Sequence, residues 1–282
     1  MNGNIGSELL VFTDLDGTLL DFSTYSCNAA LLSLKRMKEC GIPLVINSSK
    51  TRAEIETMPS WTSLSGAFIV ENGSAIFLDE CFPLPHGIET ERSGRHRVIM
   101  LGRPYEDVLG GLRQARIQCR ARLKSFSDMS TEEVSRITGL DLESSLRAKE
   151  REYSEPFIFE GDEKELDCLV AQLTERGLSC IEGGRLSYAI GSTDKGRAAS
   201  MVRELYRAAF PDIRWRTVAL GDGPNDAAML RMADVAVVIR RPDGSFLDYE
   251  PEPSQQVIIS SKPGPAGWNE EVSRLIDELC IG

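Results

Sequence analysis

Short apolar runs, each closed by polar residues, recur along the chain. Leu9–Phe12 is the first, and it leads into Thr13, Asp14 and Asp16. Its continuous apolar character suits a strand buried on both faces. Asn28 can cap a helix to about Cys40, with Leu31, Leu34 and Met37 at helical spacing and Gly41 as a stop. "IPLVINSS" gives a second buried strand, a helix follows from Thr51 to near Pro59, and "GAFIVENG" gives a third strand. Strands alternating with helices predict a parallel sheet flanked by helices.

The same rhythm returns late in the chain. A helix over Thr193–Phe210 precedes the strand "RTVALGD", a helix over Asn225–Met232 and the strand "VAVVI". "QVIISS" adds an edge strand, Trp268–Leu279 a closing helix, and "RRPDGSFLDYEPEPS" reads as a surface loop. Between Phe82 and Ser192 the pattern changes. Strand-like "RVIMLG", "EPFIFEG", "GLSCIEGG" and "RLSYAIG" alternate with helices over Tyr105–Arg120, Thr131–Ile137, Leu142–Lys149 and Glu163–Arg176. The expected fold is α/β: a Rossmann-like parallel-sheet core over 1–82 and 193–282, carrying an inserted α+β domain over 83–192.

Composition narrows the function classes. The 282 residues are 41% hydrophobic and 27% charged, enough for a large packed core. A formal net charge of -11 argues against nucleic acid and anionic membranes as partners. It leaves room for an anionic substrate, because local cations or one bound metal can reverse the field. No segment approaches the roughly 20 apolar residues of a membrane span, and "MNGNIGSELL" lacks the features of a secretory signal. The 7 cysteines are scattered and odd in number, with no CxxC spacing. Free thiols and a cytoplasmic setting are expected, with neither a zinc site nor a disulfide framework. His86 and His96 are too few for a metal site and read as surface residues.

Four polar clusters fall where ligands bind in such sheets, beyond the carboxyl ends of strands: "DLDGT", "NSSKT", "DKGR" and "GDGPND". Asp14 and Asp16, two apart, point the same way on an extended chain. Unpaired, they would repel and raise each other's pKa. An oxygen-seeking divalent cation relieves this, Asp222 and Asp226 supply further carboxylates, and magnesium fits best. Beside it a carboxylate can attack phosphorus, and a second acid can protonate the leaving alkoxide and then activate water. Ser48 can hold phosphoryl oxygens, Lys195 can offset transition-state charge, and Gly17 and Thr18 allow a tight turn beside the phosphate. Lys195 in a helix first turn is a local misfit with the helix dipole, which favours a functional role.

In order, these four stretches resemble the motifs of the haloacid dehalogenase superfamily of phosphotransferases. The resemblance implies Asp14 as nucleophile and Asp16 as general acid/base. It implies Ser48, Lys195 and Thr18 around the phosphoryl group, and Asp14, Asp16 and Asp222 around magnesium, with Asn225 and Asp226 orienting the acidic site. The insert then corresponds to a cap closing over the core. "NSSKTRAEI", "VENGSAIF", "LRAKEREYSEPF" and "PGPAGWNEEV" further resemble the mannosyl-3-phosphoglycerate phosphatases over nearly the whole chain. That resemblance implies a phosphorylated sugar as the small-molecule partner, released as mannosylglycerate (a compatible solute) and phosphate. Gly223 departs from it, since relatives often carry serine there.

Alternatives remain at this point: a phosphatase for sucrose phosphate or glucosyl-3-phosphoglycerate, a phosphomutase, or a non-catalytic binding protein. Within the insert, Gly183 and Gly184 permit a tight turn. Arg185 beside them either grips a carboxylate or is a solvated turn residue. Tyr153 and Phe157 read as packing residues.

Overall fold

The computed structural model describes residues 7–58 and 66–281. The chain opens with β1 (Ser7–Thr13), α1 (Leu31–Glu39), β2 (Leu44–Asn47), α2 (Arg52–Glu56) and β3 (Ala67–Val70). It then doubles back through β4 (Ala75–Asp79), β5 (Glu91–Ser93) and β6 (His96–Met100). The middle holds α3 (Tyr105–Cys119), β7 (Leu123–Ser125), α4 (Thr131–Thr138), α5 (Leu142–Ala148), β8 (Ser154–Phe159), α6 (Glu163–Glu175), β9 (Leu178–Glu182) and β10 (Ser187–Gly191). The last part runs α7 (Lys195–Ala209), β11 (Arg214–Gly221), α8 (Ala227–Met232), β12 (Val235–Arg240), β13 (Gln256–Pro263) and α9 (Ala266–Ile281).

One sheet has the order β13-β12-β11-β1-β2-β3-β4-β6-β5; the other is β7-β8-β10-β9. From β13 to β3 every neighbouring pair is parallel, so each connection crosses over the sheet, and helices cover both of its faces. The continuous apolar runs follow from this. Leu9 and Val11 pack on one face with Leu34, Met37 and Trp268, while Leu10 and Phe12 pack on the other with Ala198, Val202 and Leu230. The smaller antiparallel sheet has its own core, in which Phe157 meets Val108, Leu112 and Leu169. Tyr153 packs against the first face of the large sheet, so both aromatics are packing residues as expected.

Several local expectations are corrected. "RVIMLG" does not join the insert: as β6 it lies antiparallel between β4 and β5 and extends the large sheet. Asn28 begins a 3-10 turn without capping it, and α1 follows directly. The helix after Thr51 stops at Glu56; the expected end near Pro59 lies outside the described residues. Cys119 and Cys168 form a disulfide between α3 and α6, 49 residues apart in sequence. That pairing is invisible to a search for short cysteine spacings, and it removes thiol usage as an argument about compartment. His96 is buried, edge-on to Phe68 and Phe77, and only His86 is exposed. Among the described residues no helix is long and apolar enough to cross a membrane.

Candidate active site

Strand register assembles the site. β1 and β11 are parallel neighbours with Thr13 opposite Leu220, and the N–H of Asp14 donates to the Leu220 carbonyl (3.0 Å). The residues just past both strands, Asp14 and Asp222, therefore emerge side by side. Gly17 turns the chain here at φ +85°, and a Cβ on it would meet the Asp222 carboxylate at 2.8 Å. The Thr18 hydroxyl donates to Asp222 Oδ1 (2.9 Å), so this threonine positions an acid in this structure.

Lys195, at the start of α7, is fully buried and bridges two acids: its Nζ is 2.6 Å from Asp14 Oδ1 and 2.7 Å from Asp226 Oδ1. Burial opposes its charge, but Asp14 and Asp226 more than offset this and hold its pKa above the usual lysine range. Asp226 Oδ2 accepts the N–H groups of Asp222 (3.1 Å) and Gly223 (2.9 Å), so both its oxygens are occupied. Carboxylate oxygens of Asp14, Asp222 and Asp226 lie within 4.8 Å of one another. Asp14 and Asp222 each keep one oxygen outside these hydrogen bonds. Burial, against the pull of Lys195 and reinforced by the neighbouring acids, raises the Asp14 pKa well above the carboxylate range. Burial and then Asp226 push Asp222 up to about 7. Hard oxygen donors that resist ionising together fit a divalent cation of the magnesium type. Asp226 is bound up in holding Lys195 and the following loop.

Asp16 stands apart from the acid cluster. Its Oδ2 pairs with Lys50 (3.1 Å), and its Oδ1 is buried with no partner among the described residues. The expectation of two carboxylates on one face assumed an extended chain, but β1 ends at Thr13 and the chain turns. Ser48 is buried, its hydroxyl accepting the Lys50 N–H (3.3 Å), while Ser49 and Lys50 line the cavity wall.

One cavity between the large sheet and the insert collects Asp14, Asp16, Asp222 and Asn225 with Gly184 and Arg185. Arg185 is bound rather than solvated. It donates to the Phe22 carbonyl (2.6 Å), the Tyr25 hydroxyl (3.1 Å) and the Thr138 carbonyl, with its guanidinium 4.1 Å over the Phe22 ring. It thus joins the loop after β1 to the end of α4. Residues unassigned from sequence also meet here. Lys50 touches Asp16 and Glu54, and Arg151 pairs with buried Glu71. Arg241 donates twice to the Asp222 carbonyl. Lys50 stands inside "NSSKT" and Arg151 inside "LRAKEREYSEPF", so their places in those stretches were the available signal; Arg241 fell in the stretch read as a surface loop.

Comparison with known proteins agrees with this geometry. The profile of the haloacid dehalogenase-like hydrolases matches residues 11–243. A glucosyl-3-phosphoglycerate/mannosyl-3-phosphoglycerate phosphatase of Persephonella marina is 37% identical over 275 residues, covering 97% of this chain and 99% of its own. A protein of the same description from Methanococcoides burtonii is 37% identical over 270 residues, covering 95% and 97%. Among solved structures, a phosphatase of the same superfamily from Bacteroides thetaiotaomicron superposes with a TM-score of 0.63 at 19% identity, covering 97% of each chain. A subclass IIB sugar phosphatase superposes with a TM-score of 0.61 at 15% identity, covering 97% of this chain and all of that one.

Proposed function

This chain belongs to the haloacid dehalogenase-like hydrolase family and is a phosphatase, and within that family we propose that it hydrolyses mannosyl-3-phosphoglycerate to mannosylglycerate and phosphate. The observation that carries the chemistry is the free oxygen of Asp14, on the cavity wall and with Lys195 fixing its other oxygen. That oxygen attacks phosphorus; the ester P–O bond breaks, and the Asp16 proton goes to the leaving alkoxide. Asp16 then takes a proton from water, whose oxygen attacks the aspartyl-phosphate and returns Asp14 as carboxylate. The unpartnered Oδ1 of Asp16 suits this shuttling role. Asp14 and Asp222 would hold magnesium, and the ion would neutralise charge on the phosphoryl oxygens. Lys195 keeps Asp14 oriented and supplies a fixed positive charge.

The substrate is supported by the full-length likeness to two proteins described as acting on both the glucosyl and the mannosyl ester, so the glucosyl ester is the second reading. Phosphate release from a panel tests it: both 3-phosphoglycerate esters, sucrose phosphate and p-nitrophenyl phosphate, with magnesium and with excess chelator. The mannosyl or glucosyl ester should lead sucrose phosphate in kcat/KM by about tenfold or more. Sucrose phosphate in the lead would overturn the substrate, and full activity in chelator would overturn the metal.

A further inference from the structure

Glu71, Asn72 and Gly73 follow β3 with φ of +49°, +58° and +91°. Two adjacent residues with side chains in the left-handed region persist only where their surroundings hold them. Here each is held by a different part of the molecule. The Glu71 carboxylate accepts the N–H groups of Glu152 (2.9 Å) and Tyr153 (3.1 Å) and the Ser154 hydroxyl (2.7 Å). Gly73 lies so close to the start of α7 that a Cβ would meet the Asp194 carbonyl oxygen at 2.1 Å. The backbone N–H groups of Glu71 and Asn72 donate to the carbonyls of Lys50 (3.0 Å) and Ser48 (2.9 Å). None of these contacts uses the Asn72 side chain.

That side chain makes one hydrogen bond: Oδ1 accepts Asn225 Nδ2 (3.0 Å). Its own Nδ2 is buried without a partner among the described residues. Asparagine tolerates the left-handed region better than most residues, yet glycine would carry neither the backbone cost nor the orphaned donor. The position thus accepts two local costs for a single contact with a cavity residue. Gly223 keeps room for that contact, since a Cβ there would come within 2.7 Å of Asn225 Oδ1.

We propose that Asn72 is a positioning residue for phosphoryl transfer, fixing the Asn225 carboxamide at the cavity wall through a turn held in place by the insert and by α7. The inference rests on the phosphoryl site proposed above. Asn72→Gly, Asn225→Ala and the double variant test it by kcat on p-nitrophenyl phosphate, by thermal midpoint, and by inorganic phosphate binding with magnesium, measured calorimetrically. Asn72→Gly should unfold at or above the wild-type midpoint while kcat falls by about tenfold or more and phosphate binds more weakly. In the Asn225→Ala background the same substitution should change either quantity by less than about twofold. Wild-type kcat and phosphate affinity in Asn72→Gly would overturn the proposal. So would losses that multiply in the double variant, or a midpoint that drops together with kcat. If wild-type protein hydrolysed no aryl ester, the proposed reaction would fail, while the binding cycle would still decide the role of Asn72.

Discussion

Asp14 and Asp226 are both buried acids in contact with the same lysine, yet their remaining oxygens separate their roles. Asp226 spends its second oxygen on two backbone N–H groups, whereas Asp14 keeps one at the cavity. Asp14→Asn removes the covalent route rather than one contact among several. Turnover should fall by more than about a hundredfold, beyond the lower range for losing a general acid or base, with an unchanged circular dichroism spectrum. A variant that kept a larger share of kcat would remove Asp14 as the nucleophile.

At the scale of elements, the hairpin of β9 and β10 reaches the loop that leaves β1. Its turn carries Arg185, which binds carbonyls on both sides of the cavity. Engagement of a substrate carboxylate by this arginine would therefore require giving up bonds to Phe22 or Thr138. Whether it grips substrate or holds the insert over it, its influence should fall on esters with a large organic part. Arg185→Ala should lower kcat/KM for mannosyl-3-phosphoglycerate by about ten- to hundredfold, the ~1.5–3 kcal/mol of a charged hydrogen bond. Turnover of p-nitrophenyl phosphate should change far less. Equal losses on both esters would reduce Arg185 to a structural tie.

For the whole molecule, the acid cluster couples stability to pH and to metal. The folded site holds the Asp222 proton more tightly than an unfolded chain does, its pKa rising to about 7 through burial and then Asp226. Its contribution is therefore complete below about pH 4, the usual carboxylate range, and is lost as pH rises through about 7. In metal-free protein, the thermal midpoint of wild type relative to Asp222→Asn should fall across that window. A cation that binds only the folded site adds stability by mass action and competes with the same protons. Magnesium should accordingly raise the midpoint more above neutrality than in mild acid. A wild-type minus variant difference that is flat with pH, or a magnesium effect indifferent to pH, would contradict the coupling.

The sequence by itself determined the six parallel strands of the large sheet and the positions of its chemistry, but not the antiparallel β4, β5 and β6. A strand buried on both faces must be a continuous apolar run, and polar residues at its carboxyl end are conspicuous against it. Asp14, Asp16 and Asp222 were legible for that reason, Lys195 as a cation misplaced in a helix first turn, and their order along the chain carried the family resemblance. Which groups touch was decided by tertiary structure alone. The register of β1 against β11 brings Asp14 to Asp222, and the turn after Thr13 sends Asp16 to Lys50 instead. Helix α7 delivers Lys195 to Asp226 as well as Asp14. The same holds for "RVIMLG" joining the large sheet, for Cys119 meeting Cys168, and for His96 packing edge-on against Phe68 and Phe77. Periodicity reports the environment of a residue relative to its own element, whereas a partner is set by how elements pair across many residues of chain. No local pattern encodes that pairing.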